Sequence, residues 1–366
     1  METNLENKND KTGERIIYLD VMRIAAVFAV VVLHTSAQNW PNVTVPFSTW
    51  LMFDLWDGAV QWAVPVYIMI SGALFLSRDR DISIKKLYMH NILHIVMAFL
   101  CWSFLYSVYQ VHIEGGGFAR ILALTLEGHY HMWFLFMITA LYVITPLLRR
   151  LSEEDLKYLL TVSLILFFLI PTLIGIKDAV LPFLKNDMLK KALDQIFVPY
   201  SKFMDFFNPG YVAYFVLGHF LSEREISKSR RSLIYIAMAV SYVFTVSFSA
   251  IITYFGGRRY GIYDMFTMNI LFEAVGIFVL IKNRFSPARK LSEKTANRIV
   301  KLSGCSFGIY LVHAMILELM NNELALNTLS FAPFFSVPVI AIAVFLISLA
   351  VTAVIKKIPI LGKHIV

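Results

Sequence analysis

Hydrophobic residues along this chain come in long runs separated by short polar segments. About 20 mostly apolar residues are needed to cross a bilayer as a helix, and ten runs approach or reach that length. The ten predicted spans are residues 16–37, 53–76, 87–109, 132–148, 156–176, 206–221, 232–255, 264–281, 302–320 and 332–355. The sixth contains Pro209-Gly210, which predicts a broken or tilted helix. The pattern therefore predicts an all-α polytopic membrane protein of about ten transmembrane helices.

Positively charged residues are distributed unevenly among the loops between these runs. If both termini are cytoplasmic, the inside segments carry 24 Lys and Arg and the outside loops carry 8. This asymmetry follows the positive-inside rule, so we expect an even number of spans and two cytoplasmic termini. We divide the chain into a cytoplasmic N-terminal tail (1–15), one transmembrane domain (16–355) and a cytoplasmic C-terminal tail (356–366).

Composition agrees with a lipid bilayer as the solvent and excludes other classes of protein. Of the 366 residues 58% are hydrophobic and 16% are charged, whereas soluble domains have about 25% charged residues. The net charge is +8, but the cations lie in short loops and form no basic patch, so a nucleic-acid partner is not expected. Cys101 and Cys305 lie inside apolar runs, which predicts neither a disulfide framework nor a cysteine metal site.

The first span contains three ionisable residues, which are costly in lipid and therefore mark a functional hypothesis. Asp20, Arg23 and His34 are spaced so that they share one helix face. A rise of about 1.5 Å per residue separates Arg23 from His34 by roughly 16 Å. An ion pair between Asp20 and Arg23, with Arg23 reaching the headgroups, would explain those two residues without a function. It would leave His34 unexplained. We therefore predict that these three residues, which we call the first-span stripe, are functional.

Two later spans contain further candidates. Tyr310 and His313 share a face of the ninth span, although a lone membrane histidine is more often a packed residue than a catalyst. Glu273 lies near the middle of the eighth span and needs a partner on another helix or must stay protonated. A structural partnership with Arg23 and a catalytic role are both open for it.

Histidines near the ends of two other spans are weaker candidates. His131 lies just before the fourth span and Trp133 in its first turn, where an interfacial aromatic belt is the alternative interpretation. His90 and His94 stand four residues apart, as zinc ligands can, but the glutamate of an H-E-x-x-H motif is absent. No metal site is predicted.

Five stretches, taken in order, form a recognisable set. They are Arg23-x10-His34 preceded by YLDVMR, YIMISGALFL at 67–76, HMWFLFMITALYVITPLLRR at 131–150, NPGYVAYFVLGHFL at 208–221, and CSFGIYLVH at 305–313. The set resembles the acyltransferase 3 family of integral-membrane acyltransferases, from about residue 15 to 355. Within the family, the surface-polysaccharide O-acetyltransferases of the enterobacterial common antigen type look most similar.

The resemblance implies an enzyme of the bacterial plasma membrane. It would move an acyl group, with acetyl expected, from cytoplasmic acyl-CoA to a hydroxyl of a cell-surface or lipid-linked glycan, with no bound cofactor. His34 would be the base, Arg23 would orient the donor or the thioester carbonyl, and Asp20 would fix Arg23. An acyl-histidine relay is the other possibility for His34.

The same interpretation assigns binding residues. Expected substrate-binding residues are Tyr310, His313, Glu273, His131 and Trp133. Cations of the cytoplasmic loops are expected to hold the CoA phosphates. They are Arg78, Arg80, Lys85, Lys86, Arg149 and Arg150.

A transporter or flippase of a lipid-linked sugar or anionic substrate is the main alternative, since such proteins also use buried charges and broken helices. Paired broken segments in two halves would favour it, and the sequence shows one candidate, at Pro209-Gly210, without a matching partner. A non-catalytic membrane partner is disfavoured by the stripe on the first span. The acceptor glycan and the oligomeric state are not predicted.

Overall fold

Helices joined by short loops make up the molecule. The computed structural model describes residues 16–78, 80, 82–204, 209–286, 291–359, 362 and 365–366. In chain order the helices are α1 (Ile17–Ala37), α2 (Phe47–Phe75), α3 (Ile84–Glu114), α4 (Phe118–Leu148), α5 (Glu153–Phe183), α6 (Asp187–Met204), α7 (Gly210–Glu223), α8 (Lys228–Gly256), α9 (Met268–Arg284), α10 (Glu293–Ser303), α11 (Ser306–Asn322) and α12 (Pro333–Ile355). No strand occurs in these ranges, so the predicted all-α class is confirmed.

Seven of the helices described are long and apolar enough to cross a membrane: α1 to α5, α8 and α12. The pair α10 and α11, bent by 52° at the break between them, raises the number to eight if it forms one span. Two predicted spans form shorter helices, α7 with 14 residues and α9 with 17. These rise about 21 and 26 Å, less than a hydrocarbon core of about 30 Å. The chain is multi-pass, while the count of ten and the cytoplasmic termini stay predictions.

Two of the long helices are interrupted. In α2, a turn at 59–62 separates Phe47–Gly58 from Ala63–Phe75. In α4, the first segment stops at Gly128, whose φ of 84° is readily adopted only without a Cβ. A single 3₁₀ turn, Tyr130–Met132, then leads into the second half of α4. This interruption places His131 in non-α backbone.

Helices α2 and α7 pack backbone to backbone through two glycines. A Cβ at Gly72 would lie 1.7 Å from the carbonyl oxygen of Phe215, and a Cβ at Gly218 would lie 2.0 Å from that of Met69. Small residues permit this approach between membrane helices, whose association depends on close packing. The contact fixes the position of α2, which contributes Tyr67 to the cavity described below.

Helix α1 packs against α2, α9, α10, α11 and α12. The break between α10 and α11 lies beside it, because the hydroxyl of Ser303 donates a hydrogen bond to Asp20 at 2.7 Å. The ammonium of Lys356 donates to the carbonyl of Gly304 within the break. The first turn of α11 therefore begins next to α1.

The chain beyond α12 returns to the bundle. Ile365 and Val366 are buried, and the carbonyl of Ile365 accepts a hydrogen bond from the indole of Trp102 on α3 at 2.9 Å. The last described residues of the tail at 356–366 are therefore packed rather than solvated. The predicted N-terminal tail at 1–15 lies outside the described residues.

Candidate active site

One cavity of about 1010 Å³ lies among residues of α1, α2, α3, α4 and α11. Its size is at the upper end of ordinary ligand pockets, which span roughly 300–1,000 Å³. Arg23 and His34 both line it, although about 16 Å separates them along α1. We call the part around Arg23, Arg80 and Lys86 the cationic end. The part around His34 and His131 is the imidazole end.

The cationic end combines three positive charges from separate elements. Arg23 comes from α1, Arg80 from the loop after α2, and Lys86 from the first turn of α3. His90 and His94 follow on α3 and also line the cavity. No Asp or Glu side chain lines it within the described ranges, so this end favours an anionic ligand. Those ranges contain no group of three or more His, Cys, Asp or Glu side chains arranged to hold a metal ion.

Arg23 belongs to a partly buried ion pair. Its guanidinium donates to Asp20 Oδ1 at 3.0 Å, and the same oxygen accepts the hydroxyl of Ser303. The Asp20 side chain is 1% exposed and the Arg23 side chain 30%, so the carboxylate is enclosed while the cation reaches the cavity. The hydroxyl of Tyr67 donates to the Arg23 carbonyl at 3.2 Å. Sequence spacing revealed Asp20 as a partner, but not Ser303 or Tyr67, because these come from other helices.

The imidazole end contains a direct contact between two histidines that are 279 residues apart in the chain. His34 Nδ1 lies 2.7 Å from His313 Nε2, and the two ring planes are within 11° of each other with centroids 5.0 Å apart, the edge-to-edge arrangement that a hydrogen bond between two imidazoles requires. On its other side, His313 Nδ1 lies 2.6 Å from the carbonyl oxygen of Tyr310. The structure therefore joins the first-span stripe to the histidine pair predicted on the ninth span.

These two hydrogen bonds determine which nitrogens carry hydrogen in the neutral rings. A carbonyl oxygen only accepts, so His313 Nδ1 donates to Tyr310 and His313 Nε2 presents a lone pair. His34 Nδ1 then donates to that lone pair, which leaves the lone pair of His34 at Nε2. His34 lines the cavity, whereas His313 is fully buried behind it. His34 is thus the ring of this pair that can take a proton from a ligand.

Tyr310 connects this pair to the interruption in α4. Its hydroxyl donates to the backbone carbonyl of His131 at 2.6 Å, while its own carbonyl accepts from His313. The His131 ring lies 5.2 Å from the His313 ring and 6.4 Å from the His34 ring, measured between centroids. Tyr310 therefore positions both neighbours and also lines the cavity.

A comparison with protein-family models matches residues 16–356 to the acyltransferase domain of the acyltransferase 3 family. The chain belongs to this family. The match includes every helix that lines the cavity, so the site lies within a multi-pass membrane acyltransferase. Searches of curated proteins and of solved structures each found no match.

Six cations were predicted to bind the acyl donor. Two of them, Arg80 and Lys86, line the cavity of this acyltransferase. The other four are absent from its described lining: Arg78, Lys85, Arg149 and Arg150. Arg78 donates to the carbonyl of Leu151 at 2.9 Å, which ties the α2–α3 loop to the loop after α4. Arg78 and Arg80 therefore have different contacts although they are two residues apart: Arg78 binds backbone, and Arg80 lines the cavity.

Arg149 organises that loop. Its guanidinium donates to the carbonyls of Phe75 at 2.8 Å, Ser77 at 2.7 Å and Arg80 at 2.8 Å. The fork geometry of a guanidinium suits several acceptors at once. With its donors engaged by backbone, Arg149 holds the segment from which Arg80 reaches the cavity.

Of the remaining acyltransferase candidates, Trp133 lines the cavity and Glu273 is not among the described residues that do. Glu273 is 2% exposed and accepts a hydrogen bond from the hydroxyl of Thr245 on α8 at 3.2 Å. Among the described residues Arg23 pairs with Asp20 and Glu273 with Thr245, so the structure does not bring Arg23 and Glu273 together as the first alternative expected. Hydropathy placed Glu273 in a helix but could not show which neighbour its face meets.

Proposed function

We propose that this membrane acyltransferase is an O-acyltransferase that moves an acyl group, with acetyl expected, from cytoplasmic acyl-CoA to a hydroxyl of a cell-surface or lipid-linked glycan. One observation carries the proposal: a single cavity contains a cationic end and an imidazole end. An anionic thioester donor and a hydroxyl that must lose a proton need these two environments. A bacterial plasma membrane and a surface polysaccharide of the enterobacterial common antigen type follow from the resemblance of the five motifs.

The donor occupies the cationic end. Acyl-CoA carries several phosphate charges, and Arg80 and Lys86 supply cations at that end of the cavity. Arg23 also lines the cavity and is anchored by Asp20. Placing this end toward the cytoplasm agrees with the excess of Lys and Arg in the segments assigned to that side.

The acceptor hydroxyl meets His34. A hydroxyl is a weak nucleophile until a base takes its proton, and neutral imidazole is suited to that task. The hydrogen bond to His313 keeps the lone pair of His34 at Nε2 and can stabilise the imidazolium once it forms. This is the logic of a base oriented by a third group, with His313 in the orienting position.

The transfer then balances as follows in bonds and protons. The hydroxyl oxygen forms an ester bond to the thioester carbonyl carbon while its proton moves to His34 Nε2. The carbon–sulfur bond breaks, and the proton passes from His34 to the thiolate sulfur of CoA. Arg23 orients the donor or stabilises the carbonyl oxygen as negative charge develops. Cosubstrates enter and leave, and no bound cofactor is required.

A reconstitution assay tests this function. The protein is placed in lipid nanodiscs with radiolabelled acetyl-CoA and the envelope glycan fraction of a strain that lacks the gene. We expect label in the glycan and free CoA thiol in equal amounts. Movement of a lipid-linked sugar across vesicles without release of CoA would instead identify a transporter.

A further inference from the structure

A second chain of hydrogen bonds reaches the imidazole end from α11. Glu318 Oε1 lies 2.9 Å from His129 Nε2, and His129 Nδ1 lies 2.9 Å from His131 Nδ1. The chain involves neither His34 nor His313. Its members come from α11 and from the interruption in α4, so it depends on the same helix contact that Tyr310 maintains.

The order of donors along this chain follows from the carboxylate. An ionised carboxylate only accepts, so His129 Nε2 carries the hydrogen and donates to Glu318. In neutral His129 the lone pair is then at Nδ1, and it accepts a hydrogen bond from Nδ1 of His131. The lone pair of His131 is consequently at Nε2.

That nitrogen has nothing to bind within the described structure. His131 is 1% exposed, and its Nε2 is buried without a hydrogen-bond partner among the described residues. A buried acceptor left unpaired is unfavourable, so a bound donor at this position is favoured. His131 lines the cavity beside His34, whose own lone pair is also at Nε2.

The middle of the chain is held in place by aromatic packing. The ring of Tyr106 stacks on His129 with centroids 4.1 Å apart. The Tyr106 hydroxyl donates to the Leu311 carbonyl at 2.8 Å and accepts from the Met315 amide at 2.8 Å, both on α11. The orientation of the His129 ring is therefore fixed by Tyr106 packing on its face and by hydrogen bonds at both of its nitrogens.

We propose that Glu318 and His129 are positioning residues that hold His131 as a hydrogen-bond acceptor for a second hydroxyl of the acceptor molecule. This proposal rests on the proposed function. His34 takes the proton of the reacting hydroxyl, and His131 binds a neighbouring hydroxyl without any change in its own bonds. Two histidines that line one cavity, each with its lone pair at Nε2, suit a diol such as adjacent sugar hydroxyls better than a simple alcohol.

The first test needs no substrate. Nitrogen-15 NMR of histidine-labelled protein, with the His131 signals assigned through His131→Gln, reports which ring nitrogen carries hydrogen. We expect hydrogen on Nδ1 of His131 in the wild type and a mixture of both forms in Glu318→Ala. Glu323→Ala, which removes a carboxylate just beyond the end of α11, is the matched control and should behave as the wild type. Hydrogen on Nε2 of His131 in the wild type, or an unchanged His131 in Glu318→Ala, overturns the proposed hydrogen-bond chain from Glu318 to His131.

The second test uses the acyl-transfer assay. Glu318→Ala should raise the KM for the acceptor about tenfold, the typical effect of weakening one hydrogen bond to a charge-supported group. The KM for acetyl-CoA and the melting temperature should stay at the values of Glu323→Ala. A fall in kcat alone, or an altered KM for acetyl-CoA, contradicts the positioning role. If the wild type neither transfers label nor releases CoA, the proposed function fails, while the NMR result still shows whether the hydrogen-bond chain from Glu318 to His131 exists.

Discussion

The two ends of the cavity are built in different ways. At the cationic end, Arg80 comes from a loop and Lys86 from the start of a helix, so the donor binding that we propose for them would depend more on charge than on exact direction. At the imidazole end, hydrogen bonds between α1, α4 and α11 determine the direction of each lone pair. Binding a multiply charged anion tolerates loose geometry, whereas proton transfer needs a donor and an acceptor within hydrogen-bond reach. The difference suits the two tasks we propose for them.

The largest expected effect comes from removing His34, the proposed base. His34→Ala should lower the rate of acyl transfer by about 10²- to 10⁴-fold, the usual contribution of general-base catalysis. The variant should remain folded in the membrane, as checked by its melting temperature. His112→Ala, at an exposed position near the end of α3, is the control. Turnover near that of the wild type in His34→Ala would contradict the central role of this residue.

A smaller effect is expected from removing His313, the hydrogen-bond partner of His34. His313→Ala should reduce kcat by roughly 10- to 100-fold if His313 acts through His34 as we propose, a loss comparable to that from removing the supporting partner of a metal ligand. The KM for acetyl-CoA should not change. His313→Gln should recover part of the rate, because an amide oxygen can accept the hydrogen bond from His34 Nδ1. Equal loss in both variants would indicate that only the packing of the ring matters.

Arg23 belongs to the cationic end, but like the histidines it is held in place by a fixed partner, Asp20. Arg23→Lys keeps the charge but loses the planar fork, so kcat/KM should fall about tenfold if Arg23 binds the donor or the carbonyl through two donors. Steady-state kinetics with varied acetyl-CoA would measure it. A wild-type value would mean that Arg23 supplies charge alone.

The smallest effect is expected at the loop cations. The double variant Arg80→Gln with Lys86→Gln should raise the KM for acetyl-CoA about fivefold and leave the KM for the acceptor unchanged, since partly solvated charges contribute modestly. The matched control is Lys85→Gln with Arg150→Gln, which removes the same charge from two exposed positions outside the cavity lining. Equal effects in both double variants would show that only the total charge of this region matters.

The helices themselves illustrate how far hydropathy reaches. The predicted spans at 16–37 and 332–355 agree closely with Ile17–Ala37 and Pro333–Ile355. The described part of the run at 206–221 lies in Gly210–Glu223, a helix of 14 residues packed against α2 through Gly72 and Gly218. A window of apolar residues cannot distinguish a helix that crosses lipid from one enclosed by its neighbours, because both exclude water.

The sequence by itself determined that this chain is helical and multi-pass, that Asp20, Arg23 and His34 share one face, and that its motifs resemble those of the acyltransferase 3 family. These are local properties: hydropathy, helical period and residue order. The tertiary structure alone decided that His34 meets His313, that Arg80 and Lys86 reach the cavity while Arg149 holds the loop, and that Glu273 pairs with Thr245. Such contacts depend on how distant helices pack and turn against one another, and the spacing of residues along a single helix contains no record of it.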